Sequence, residues 1–210
     1  MAGLSRFKPV DLIAKIATAT ARTGSRLQAD DRAKASEFYD GLRVTVDTGI
    51  DPAASLSSET TAFLTSDAVA LQSADTYLQL GATLQEYGRL AEATTLYQRA
   101  AQLFPNDGRV YEQLGQVLTQ QSRLPEAAVA FGRSVQLQPH SATAYRNLGA
   151  VLEQQGNVAA AIASYSKALR LDPQNPTHYK QLGTLLYRRG RFTEAIALYH
   201  QAIQINPQHI

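Results

Sequence analysis

From Ala74 onward, apolar residues fall at helical spacing in two alternating sets, and the pair of sets recurs every 34 residues without insertion or deletion. In units running over 74–107, 108–141, 142–175 and 176–210, positions four, seven, eight and eleven form the first set. Positions twenty, twenty-four, twenty-seven and thirty form the second. Each set is one face of a helix, so each unit predicts two antiparallel helices joined by a short turn. The register also preserves residue identity. Tyr77, Tyr111, Tyr145 and Tyr179 share position four, Leu80, Leu114, Leu148 and Leu182 position seven, and Gly81, Gly115, Gly149 and Gly183 position eight. Position eleven holds Leu84, Leu118, Leu152 and Leu186, position twenty Ala93, Ala127, Ala161 and Ala195, and position thirty-two Pro105, Pro139, Pro173 and Pro207. Such a period signals a stacked solenoid, because one helix pair cannot bury its apolar face alone.

The turns carry their own marks. The first helix is expected to stop at Gly88, Ser122, Gly156 or Gly190, where a left-handed residue ends a helix and glycine adopts that conformation most easily. Ser122 should therefore be the costliest of the four. The second helix starts two or three residues later, with Glu92, Glu126 and Glu194 at the positive end of its dipole and Pro125 in a first turn. Proline at position thirty-two ends it, and Asp107, Ser141 and Asn175 then stand as N-caps for the next unit.

These residues resemble the tetratricopeptide repeat family over residues 74–207, with Tyr where Trp is often found at position four. The resemblance implies an all-α, right-handed superhelical solenoid of antiparallel helix pairs. It also implies a concave face lined by the first helix of each pair, and a function in holding a protein partner. The aromatic residues at position twenty-four, Tyr97, Phe131, Tyr165 and Tyr199, are expected in the core. Leu148 is expected to be buried inside the third repeat.

Residues 1–73 follow different rules. Helices are expected over 10–23 and 31–46, then a linker, and a helix over 59–72 carrying Phe63, Leu64, Ala68 and Leu71. Residues 1–58 thus read as a helical and linker segment, and 59–73 as a capping helix or degenerate repeat ahead of the solenoid in 74–210. At the other end the last repeat's outer face is expected to be uncovered. Arg188, Arg189, Arg191 and His200 would keep it soluble there, unless the protein continues or this end pairs with another copy.

Composition narrows the function. With 44% hydrophobic residues and no apolar run approaching twenty, the chain can build a core and is not expected to span a membrane. It has no cysteine, which removes disulfides and thiolate chemistry and fits a cytoplasmic location. Asp11 and Lys15 interrupt any signal-peptide core. The four histidines, His140, His178, His200 and His209, occupy four different repeat positions, form no metal pair, and are expected on the solvated surface. There is no phosphate-cradling loop. No catalytic residues, metal site or cofactor is expected, and the chain reads as a non-enzymatic scaffold.

The binding residues are sought on the first helices. Position six holds Gln79, Gln113, Asn147 and Gln181, a column of carboxamides able to bond an extended peptide's backbone whatever its side chains. The column resembles the asparagine ladder in the repeats of protein O-linked N-acetylglucosamine transferase, with glutamine on three of four rungs. Charge rises along the repeats, from two basic against four acidic residues in the first to four against one in the last. Arg146, Lys180 and Arg188 fall at groove positions and are expected to steer an acidic segment or a terminal carboxylate. The lysine and asparagine pair of a carboxylate clamp is absent, and basic residues are too few for nucleic acid. Two rival readings are the substrate-recognition arm of a larger glycosyltransferase and an assembly factor tethered to a membrane by residues 10–23.

Overall fold

The computed structural model describes residues 73–207. The helices expected over 10–23, 31–46 and 59–72, and the segments built from them, lie outside the described residues. Among those described, the chain forms eight α-helices and no strand. They are α1 (Ala74–Glu86), α2 (Leu90–Leu103), α3 (Gly108–Gln120), α4 (Leu124–Leu137), α5 (Ala142–Gln154), α6 (Val158–Leu171), α7 (Pro176–Arg188) and α8 (Phe192–Ile205). Two compact units divide after Pro105. In the first, α1 packs on α2. In the second, α3–α4, α5–α6 and α7–α8 form three antiparallel pairs that stack in chain order, α4 on α5 and α6 on α7. The all-α architecture of antiparallel helix pairs is the one the 34-residue period predicts.

Each pair closes on one contact. A Cβ added at Gly81 would lie 2.3 Å from the ring of Tyr97, and at Gly115 it would lie 2.8 Å from Phe131. The same atom at Gly149 would lie 2.8 Å from Tyr165, and at Gly183 it would meet Tyr199 at 3.0 Å. The glycine at position eight thus receives the aromatic ring at position twenty-four. Around this contact Ala93, Ala127, Ala161 and Ala195 are buried, as are Ala100, Ser134, Ala168 and Ala202 at position twenty-seven. The ring reaches further where it carries a hydroxyl. Tyr97 donates to Gln85 at 2.8 Å and Tyr165 to Glu153 at 2.9 Å, both acceptors at position twelve. Phe131 has no hydroxyl, and Thr119 at position twelve of its repeat turns back to donate to the Gly115 carbonyl.

The turns follow the same economy. Gly88, Gly156 and Gly190 take positive φ, and so does Ser122 at 60°, the only non-glycine to do so among the described residues. The second helices begin with a bidentate side-chain pair in three repeats: Arg89 with Glu92, Arg123 with Glu126, and Arg191 with Glu194. The third repeat has Asn157 and Ala160 at those places, and there the Asn157 side chain accepts from the Ala160 N–H at 3.4 Å, an N-cap replacing an ion pair. Asp107, Ser141 and Asn175 cap α3, α5 and α7 as expected, and Ser73 caps α1.

Burial expectations change at Leu148 and at Tyr199, which is half-buried on α8 and sits less tightly over its glycine than the buried Tyr97, Phe131 and Tyr165. Leu148 is half-buried, and it packs against the cluster of Leu118, Ala127, Ala130, Phe131 and Val151. Leu118, Ala127, Ala130 and Phe131 belong to the preceding pair, so Leu148 works at the junction of two repeats as well as inside its own. Tyr77 is buried, whereas Tyr111, Tyr145 and Tyr179 are half-buried. In the next junction Val158, Ile162 and Leu169 of α6 pack against the cluster that holds Leu182, Leu185 and Leu186 of α7.

Because Tyr165 leaves no room for a Cβ at Gly149, Gly149→Leu should cost about 1–3 kcal/mol through overpacking. Leu148→Ala should cost about 2 kcal/mol, the low end for a leucine truncation, since part of the side chain already meets water. Urea unfolding that overlays the parent in both cases would show that the pairs do not close on this contact. Ser122→Gly should act in the opposite direction. Relief of a left-handed backbone, about 1–2 kcal/mol, exceeds the added chain entropy of glycine, about 0.5–1 kcal/mol, so the melting temperature should rise.

Candidate functional site

The polar face of the second unit is built from one helix of each pair, α3, α5 and α7. Two side-chain bonds cross from pair to pair on it, each between residues one repeat apart. Asn147 on α5 donates from Nδ2 to Glu112 Oε1 on α3 at 3.2 Å, and Arg188 on α7 donates from Nη1 to Glu153 Oε1 on α5 at 2.9 Å. Positions five and six link α3 to α5, and positions twelve and thirteen link α5 to α7.

On α5, Arg146 Nη2 donates to Asn147 Oδ1 at 3.1 Å. Asn147 is thus held at both ends, its nitrogen by Glu112 and its oxygen by Arg146. A carboxamide has two N–H donors and two lone pairs, so one of each is left after these bonds. The Glu112 carboxyl is pushed up by burial, and the Arg146 guanidinium opposes that shift. On the next rung Glu153 accepts from the buried Tyr165 hydroxyl and from Arg188. Burial holds the Tyr165 hydroxyl far above its ordinary range, with the bond to Glu153 adding to the effect, so it stays a donor.

The carboxamides of position six differ in circumstance. Gln79 lies half-buried on α1 in the first unit. Gln113 on α3 is half-buried, and its side chain makes no hydrogen bond among the described residues. Gln181 on α7 has its Oε1 enclosed without a hydrogen-bond partner. Of the basic residues placed here by sequence, Arg146 is half-buried beside Glu112, and Arg188 is paired with Glu153. Lys180 is exposed and makes no ion pair among the described residues. The structure thus gathers Arg146, Asn147 and Glu112 into one network and Arg188, Glu153 and Tyr165 into another. Glu112 and Glu153 carry no signal of their own in the sequence, apart from standing at positions five and twelve.

His178 departs from expectation. It is 2% exposed, at position three of α7, with Asp172 Oδ2 3.7 Å from Nε2. Position three is buried in every repeat, as Thr76, Val110 and Ala144 show, so a histidine there is carried inside by its place in the period. His140 and His200 are exposed, and His209 lies outside the described residues. Burial lowers the His178 imidazole below its ordinary value, and Arg146 adds to that shift while Asp172 opposes it. Among the described residues no group of His, Asp and Glu is arranged to hold a metal ion, and no helix is long and apolar enough to cross a membrane.

Sequence models of the tetratricopeptide repeat match residues 74–117, 142–175 and 177–209, and one described as TPR repeat matches 115–156. Together they span 74–209, more than half of the chain. No curated protein matches the sequence. Among solved structures, MamA residues 41 to the end from Desulfovibrio magneticus RS-1 is similar at 20% identity and TM-score 0.63, over 84% of this chain and 97% of that one. YrrB, described as a TPR protein with an unusual peptide-binding site, is similar at 21% identity and TM-score 0.61, over 80% and 93%. PilF of Pseudomonas aeruginosa is similar at 25% identity and TM-score 0.62, over 87% and 80%.

The buried imidazole gives a pH dependence of known sign. A base whose folded pKa lies below its unfolded value binds protons more readily when unfolded, so it destabilises the fold as pH falls. Stability should be full above about pH 7. It should decline as pH drops from the ordinary imidazole value of 6.5 toward the lowered folded one. His178→Val, the residue of the second repeat at this position, should remove that slope. Denaturant midpoints measured from pH 8 to 5 with equal slopes for both proteins would exclude His178 as the cause.

Proposed function

The chain belongs to the tetratricopeptide repeat family, and on that premise we propose that it is a non-enzymatic scaffold that holds an extended segment of a protein partner along its first helices. The observation that carries this reading is the Asn147 amide. Glu112 and Arg146 fix its orientation before any partner arrives, leaving one N–H and one lone pair. A peptide unit needs one acceptor and one donor, so Asn147 matches a backbone regardless of the side chains it bears. Orientation settled in advance also spares the ordering cost that a free side chain would meet on binding. Gln113 and Gln181 extend the column on either side, with Gln79 as its counterpart in the first unit. The resemblance to an asparagine ladder thus narrows, in this reading, to one asparagine held by its neighbours.

Charge has a smaller role than the count of basic residues implies. Arg146 and Arg188 each stand beside a carboxylate, so Lys180 is the cation best able to attract an acidic segment of the partner. Attraction at an exposed lysine acts on encounter more than on residence, and salt weakens it.

Partners recovered with the intact protein supply the test. Changing Gln113 and Asn147 together to Ala should weaken the affinity about 5- to 160-fold, the equivalent of two hydrogen-bonding groups worth about 0.5–1.5 kcal/mol each. Lys180→Glu should instead slow association and flatten its dependence on salt, with a small change in dissociation. Unaltered affinity of a recovered partner for the double variant would sink the groove reading.

A further inference from the structure

The outer face of α8 carries an exposed apolar stripe. Phe192 and Ile196 are each 54% exposed and Ile203 42%, at positions seventeen, twenty-one and twenty-eight. Tyr187 is 57% exposed, and its ring meets that of Phe192 edge-on at 5.2 Å, extending the apolar stripe across the turn. One repeat earlier the same three positions are Val158, Ile162 and Leu169, and they are covered by the cluster containing Leu182, Leu185 and Leu186 of α7. Ile162, Leu182 and Leu186 line one cavity of about 330 Å³ in that junction. The fold therefore displays how this face is filled: by a helix with leucines at i, i+3 and i+4.

The rim selects among such helices. Arg188 ends α7, and Arg189 and Arg191 lie in the turn before Phe192. Arg188 is paired with Glu153 and Arg191 with Glu194, while Arg189 is exposed and makes no ion pair among the described residues. His200 is exposed at position twenty-five, the place from which Ser166 lines the junction cavity one repeat earlier. A second copy docking by this same face would offer Arg189 no unpaired carboxylate, since Glu194, the acidic residue of α8, is already paired with Arg191. We propose that α8 and the α7–α8 turn dock an acidic amphipathic helix of a protein partner, its leucines on Phe192, Ile196 and Ile203 and its carboxylates toward Arg189.

Two synthetic helical peptides with the leucine spacing of α7, one flanked by glutamates and the other by lysines, probe this directly by fluorescence anisotropy against the full chain. The glutamate peptide should bind saturably and at least tenfold more tightly than the lysine peptide. Ile196→Asp should weaken it at least tenfold with an unchanged circular dichroism melt, because the side chain is mostly in water. Arg189→Glu should erase the preference between the peptides. The Gln113→Ala, Asn147→Ala double variant should bind the glutamate peptide as the parent does, which separates this face from the polar one. The proposal is overturned by absence of saturable binding, by equal affinity for both peptides, by binding that survives Ile196→Asp, or by loss of binding in the double variant. Sedimentation showing a dimer that Ile196→Asp dissociates would give the face to a second copy and also overturn it.

Discussion

Glycine against an aromatic ring is the contact on which the described structure depends. With Gly81, Gly115, Gly149 and Gly183 set against Tyr97, Phe131, Tyr165 and Tyr199, the ring leaves no room for a Cβ at the first three and only a tight fit at Gly183. That closeness brings the small residues at positions twenty and twenty-seven into the interior. It also delivers the tyrosine hydroxyl to the polar face, where Gln85 and Glu153 receive it. Core and surface are therefore linked through one ring: the same Tyr165 that fills the space over Gly149 helps position the carboxylate that holds Arg188.

This linkage explains which features the sequence reveals. A position occupied identically in four repeats reports a demand that every repeat makes, and Gly149, Ala161 and Pro173 are legible for that reason. The left-handed Ser122 was equally legible, because its three counterparts are glycines. A demand made by a single junction leaves no such record. Asn147 and Glu112 are 35 residues apart, and only the stacking of α5 on its neighbours makes them partners. His178 shows the converse case. Its chemistry suggests surface, but the three other repeats bury position three, and the period governs burial more strongly than the polarity of one residue.

Net charge per repeat misleads for a related physical reason. The rise toward the fourth repeat is real in composition, yet Arg146, Arg188 and Arg191 are each placed beside a carboxylate by the stacking or the turn. A guanidinium so paired organises its own surface and contributes little field at a distance. The cations left over are Lys180 on the polar face and Arg189 at the α7–α8 turn, and the structure alone distinguishes them from their paired neighbours.

The apolar positions of the second helices obey one further constraint of stacked architecture. A repeat cannot satisfy both of its faces internally, since the residues that close a helix pair differ from those that join it to the next. Val158, Ile162 and Leu169 join; Ala161, Tyr165 and Ala168 close. The division is visible in exposure on α8, where Ala195 and Ala202 are buried while Phe192, Ile196 and Ile203 remain in water. The joining positions of α8 are thus as large and apolar as those of α6, and their chemistry suits a packed helix better than water.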